Sequence, residues 1–255
     1  FRSAPVNVLN QARKLAVSAA LLGLVVLALQ FGIRSARISG IGLEGAIDPV
    51  MLGLVWDSPL GTAAVWRGAG QVLIFAVLIE STIGLAANLL GVLLVAVSYT
   101  LVGHSLGDPR WILAPVLGVH LLAVSFWVGA LAPLHLATGL PGGADLLHRF
   151  GIIASIIVAV LVLVGLTFAS LMIGSLGHLF GTAYGWTLIA KLVLVIGLLA
   201  LAAKNKLWLV PSVASGDPLA LDRLRSSIRL ESIAVGLILL ATSTLTVVTT
   251  PPVNL

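Results

Sequence analysis

Apolar residues run almost unbroken through seven stretches, each long enough to cross about 30 Å of hydrocarbon as a helix rising 1.5 Å per residue. The stretches cover residues 15–33, 61–79, 82–103, 111–134, 149–173, 186–203 and 230–248, spans one to seven. Polar residues gather at their ends, in connections 34–60, 104–110 and 174–185 and the tail after 248 on one side, with 204–229 the longest on the other. No connection reads as a soluble domain. The pattern predicts an all-α fold: a polytopic transmembrane helical bundle, one domain over residues 1–255.

Composition narrows the class further. Hydrophobic residues make up 59% of the chain and charged residues 9%, against about 25% charged in a soluble domain, so the partner is the lipid bilayer. With no cysteine there is no disulfide framework, thiolate metal site or nucleophilic thiol, and a soft metal would have to use His or Met. The net charge of +5 reports orientation rather than nucleic-acid binding. If the N-terminus is inside, inner segments hold Arg2, Arg13, Lys14, Arg149, Lys204, Lys206, Arg223, Arg225 and Arg229, while outer ones hold Arg34, Arg37 and Arg110. That asymmetry obeys the positive-inside rule.

Two cations break the pattern. Arg67 and Lys191 each lie six residues, about 9 Å, inward from a glycine, Gly61 or Gly185, at the outer start of a span. The simplest expectation is that both snorkel to the interface, beside Trp66 or beside Tyr184 and Trp186. The alternative is that they neutralise buried acids or attract an anion at an outer vestibule. Glu80-Ser81 and Glu231-Ser232 both stand at an inner membrane edge. Together these matches suggest an internal repeat with a four-span offset, which predicts a further helix ahead of Phe1 and eight spans in the native protein.

The histidines are the candidate chemistry. His135 and His148 read as solvated residues at inner span ends, and His178 as an outer-loop residue facing solvent. His120 lies inside span four, where an ionisable group is costly unless paired, hydrated or bound; Ser125 and Ser170 are possible hydrogen-bond partners. His104 ends span three. A turn centred near residue 110 would bring its imidazole toward that of His120 on the outer side. Met51 and Met172 also fall on the outer side, and imidazole with thioether suits copper, though spacing alone leaves zinc, iron and haem open.

At "VGHS", "HLLAVSFWVGALAPL", "HRFG", "GTAYGWTLIAKLVLV", "AAKNKLWLVP", "LRSSIRLESIAVGLILL" and the terminal "TPP", the chain resembles the copper-resistance CopD/PcoD membrane family, from about residue 58 to 252. The motif positions are Gly103-His104, His120 with Trp127-Val128-Gly129, Tyr184-Gly185 with Lys191, Asn205-Lys206, and Glu231. The resemblance implies an eight-helix protein of the bacterial inner membrane that moves or handles copper ion supplied from the periplasm, beside a CopC-like periplasmic copper-binding protein. It departs from the family where the usual Arg-Phe-Ser reads Arg149-Phe150-Gly151, and residues 1–57 carry no matching motif.

The expectation is therefore a copper permease or copper-handling protein, not an enzyme. It would have an outward-facing site on His104 and His120, with Met51, Met172 and His178 as further ligand candidates. Arg67, Lys191, Trp127, Tyr184 and Glu231 would shape the structure and vestibule around it. Nothing resembles an energy-coupling module: there is no phosphate loop and no intramembrane aspartate that reads as a proton relay. The rival readings are a b-type haem or quinone redox protein using the same two histidines as axial ligands, and a non-transporting assembly subunit.

Overall fold

The computed structural model describes residues 4–103, 110–173 and 175–249, and among them every regular element is helical. Seven helices are long and apolar enough to cross a membrane. They are α1 (Val6–Ser39), α3 (Pro59–Ile74, extended by a 3-10 turn Phe75–Leu78), α4 (Thr82–Thr100), α5 (Arg110–Ala137), α6 (Gly143–Ile173), α8 (Ala183–Lys204) and α10 (Ala220–Val247). Three short helices stand between them: α2 (Pro49–Trp56), α7 (Leu176–Gly181) and α9 (Val210–Ala214).

Each apolar stretch thus became a helix, but most of the helices run past the apolar residues at one end or both. Hydropathy reports where lipid begins, whereas a helix ends where its backbone meets a stop signal. For α1 that signal is Gly40, whose φ of 70° favours a residue without Cβ. The segment 204–229, an inner connection by composition, is mostly helix: α8 continues through a π-turn (Asn205–Leu209) into α9, and α10 begins ten residues before the apolar stretch does.

The chain divides into two compact units, one of Ala12–Leu122 and one of Ala123–Leu255 with the residues up to Gln11. In the first, α3 and α4 pack backbone to backbone. A Cβ placed on Gly70 would come 2.6 Å from the carbonyl oxygen of Gly91, and a Cβ on Gly91 would come equally close to that of Gly70. Such small-residue crossings let helices associate where no hydrophobic drive separates protein from lipid. Where α3 tightens into its 3-10 turn, the Asn88 amide donates to the Ile74 carbonyl at 3.0 Å, so a polar backbone group freed at membrane depth stays satisfied. At the start of α1 and α4, Arg13 and Glu80 form an ion pair of 2.6 Å.

In the second unit, Trp127, Leu131, Leu134, Leu198, Leu224 and Ile228 form the centre of a buried apolar cluster drawn from α5, α8 and α10. Large apolar side chains such as Ile156, Leu163, Val193, Ile196, Ile233 and Leu240 point outward, as expected of lipid-facing positions.

One local arrangement occurs in both units. A short helix (α2 or α7) is followed by a capping hydroxyl, Ser58 accepting from Leu60 N or Thr182 from Gly185 N, and then by a glycine in the first turn of a long helix. A Cβ on Gly61 would strike the Trp56 carbonyl, and one on Gly185 the Leu179 carbonyl. Arg67 and Lys191 follow six residues on. The Glu-Ser pairs, by contrast, occupy unlike settings. Glu80 is exposed and Ser81 caps α4, whereas Glu231 is 5% exposed and Ser232 lies inside α10, donating to the Ile228 carbonyl.

Candidate functional site

Arg67 does not lift its charge to the interface. It is 8% exposed, its Nε donates to Ser98 Oγ at 3.1 Å and its Nη1 to Gln30 Oε1 at 3.3 Å, and its guanidinium carbon lies 3.9 Å from the centre of the Tyr99 ring. The snorkelling expectation fails for Arg67 because α1 and α4 offer hydroxyl, amide and ring within reach, and a satisfied guanidinium gains nothing by leaving them. No carboxylate pairs with it among the described residues. Lys191 is half-buried on α8, with no hydrogen bond or ion pair among the described residues. Trp66 and Trp186 are exposed as interfacial aromatics would be, but Tyr184 is buried.

The outward candidates are distributed over both units. Met51, on α2, and His120, on α5, are half-buried in the first, and the Nδ1 of His120 is enclosed by protein. In the second unit Met172 is 3% exposed at the end of α6. His178 is exposed on α7, with Nδ1 3.1 Å from the carbonyl oxygen of Ile173, the residue next to Met172. The Ser170 hydroxyl donates to Thr167 O in its own helix. His104 lies outside the described residues. Among those described, no group of three or more His, Asp or Glu side chains is placed to hold a metal ion.

At the basic end of the second unit, the structure gathers polar groups that sequence reasoning treated separately. Glu231 on α10 accepts a hydrogen bond of 2.6 Å from the Asn205 amide at the π-turn, and Trp127 on α5 lines the same cleft as this pair. Both Glu231 and Asn205 are buried. They face a cleft of about 440 Å³ whose walls include Phe150, Gly151, Ser155 and Lys206; Phe150 stacks on Phe126 with ring centres 5.6 Å apart. The ammonium of Lys206 donates to Ser155 Oγ. The walls therefore combine apolar and aromatic surface with one enclosed carboxylate, the usual composition of a small-ligand site. The signal that could have found it was present: Glu231, Asn205 and Trp127 all interrupt apolar helices.

Nearby, His135 is less simple than a solvated terminal imidazole. Its Nε2 is enclosed with no hydrogen-bond partner among the described residues, beside Arg225 and Arg229, and Arg225 Nε donates to Thr138 Oγ1 at 3.1 Å. Because α10 starts early, Arg225 reaches the end of α5 and the His135 ring is half-buried rather than fully open to solvent. His148 is exposed, as expected.

These features define a multi-pass α-helical membrane protein that buries a few polar groups, Arg67, Asn205 and Glu231 among them, inside its helix packing. Residues 144–245 match the model of the family CopD, copper resistance protein D. The resemblance read from the sequence is thus borne out over residues 144–245, from α6 into α10, a stretch shorter than half the chain. Within it fall Phe150, Gly151, Asn205, Lys206 and Glu231; Trp127, His104 and His120 lie before it. No curated protein and no solved structure matches the chain.

Proposed function

We propose that this protein moves or handles copper across the bacterial inner membrane. Copper would be taken from the side opposite the basic end, by ligand exchange onto His104 and His120. The observation that carries the reading is the copper-resistance match over α6 to α10, joined to an imidazole held inside a membrane-crossing helix at His120. A neutral imidazole is a good copper ligand, and Met51, in the same unit as His120, is a candidate softer donor. A CopC-like carrier would supply the ion, and no covalent chemistry is required of the chain.

The test is copper stoichiometry and affinity of the full chain in detergent. His104→Ala and His120→Ala should each weaken binding more than about tenfold, equivalent to about 1.4 kcal/mol, while exposed His148→Ala should leave it unchanged. Parent-like copper binding by both outer variants would overturn the proposal. A Soret band in the purified protein would favour the haem reading instead.

A further inference from the structure

Within the cleft at the basic end, the bonding of one pair is incomplete. Asn205 is 8% exposed and Glu231 5%. The amide uses its Nδ2 to donate to Glu231 Oε1 at 2.6 Å, yet its Oδ1 is enclosed and accepts nothing among the described residues. A buried carbonyl oxygen left unmatched costs about 1–3 kcal/mol, and a carboxylate in a membrane-crossing helix ordinarily has a cationic partner. Glu231 has none among the described residues. Among the described residues, the only other ionisable one lining the cleft is Lys206 on the π-turn, whose ammonium is engaged by Ser155 on α6. Among the described residues, Lys204, Arg225 and Arg229 form no ion pair with Glu231.

One ligand repairs both defects. A proton on the second carboxyl oxygen removes the buried charge and creates an O–H donor, the one group that Asn205 Oδ1 lacks. A carboxylic acid facing a carboxamide closes a two-bond ring: the acid O–H donates to Oδ1 while Nδ2 donates to the acid carbonyl. We propose that Glu231 and Asn205 form a reversible proton-binding site opening into the cleft at the basic end. The proton arrives from hydronium in cleft water, leaving a water molecule, and departs by the same route. Asn205 supports both states, as donor to the carboxylate and as donor and acceptor to the acid. The site does not depend on whether copper binds elsewhere.

Infrared difference spectroscopy of the full chain, between alkaline and acidic buffer and in H₂O and D₂O, tests this. The expected result is a protonated-carboxyl C=O band in the parent that moves on deuteration and is lost in Glu231→Gln. The same band should persist in Asn205→Leu at a shifted frequency, because the acid has lost its amide partner. The proposal is overturned if parent and Glu231→Gln titrate identically in the carboxyl region, or if Asn205→Leu leaves the band where it was. If Glu231→Gln does not yield folded protein, the Asn205→Leu comparison decides alone, since that variant keeps the acid.

Discussion

The guanidinium carbon of Arg67 lies 3.9 Å from the centre of the Tyr99 ring, while Nε reaches Ser98 on the same helix as that tyrosine. A planar fork makes both contacts at once; an ammonium cannot. Arg67→Lys should therefore lower stability by about 1–3 kcal/mol, the cost of leaving buried partners unmatched, and Arg67→Ala by at least as much. Thermal unfolding in detergent measures this. A Lys variant as stable as the parent would return Arg67 to the snorkelling class.

The α3–α4 crossing tolerates no side chain. Gly70→Ala or Gly91→Ala would place a methyl 2.6 Å from the opposite carbonyl oxygen, so the helices must separate, at a cost of about 1–3 kcal/mol. Gly236→Ala, with nothing within 4 Å of the added Cβ, is the matched control. The expected outcome is a lower unfolding temperature for the two crossing variants alone.

The arrangement shared by the two units predicts parallel effects. Ser58→Ala and Thr182→Ala each remove a cap and should cost about 1 kcal/mol. Gly61→Ala and Gly185→Ala should cost more, because the added methyl meets a backbone carbonyl that cannot swing aside. Unequal losses within either pair, read by unfolding of the four single variants, would show that the likeness is local sequence chance.

Gly151 stands where the resembling family usually has serine. A Cβ there would meet Lys206 Cγ at 3.4 Å, an ordinary contact with a flexible chain. In this protein Ser155, one turn along α6, already supplies a hydroxyl to Lys206. Gly151→Ser should therefore be accepted with a stability change below about 0.5 kcal/mol, and a larger loss would show that the cleft has no room for it.

Much of the fold could be read from the chain because lipid imposes one demand on long runs of residues: apolar side chains around a fully bonded helix. The seven spans follow from that demand. Helix ends do not, since Gly40 stops α1 through backbone conformation and the π-turn after α8 leaves no compositional mark. The setting of single polar residues was harder still. Arg67 meets Ser98 across thirty-one positions, and Asn205 meets Glu231 across twenty-six, separations no local window spans. The Glu-Ser matches misled for the same reason: at the two sites the chain is alike, but one carboxylate faces Arg13 outside the helix packing and the other faces Asn205 inside it. Of the outward histidines, His120 could be singled out because it interrupts an apolar helix, and that position in α5 is where the structure encloses its ring nitrogen.

The π-turn at Asn205–Leu209 acts as a phase shift in an otherwise continuous rod. A regular helix advances about 100° per residue, so one extra residue in a turn re-aims everything beyond it without changing direction of travel. Asn205 and Lys206 can then address the cleft while Trp208 faces outward. Removing a single residue from that turn would keep the helix and its hydropathy intact yet rotate α9 out of step with α8. The length of this turn, rather than the identity of any one side chain, sets which residues the cleft can see.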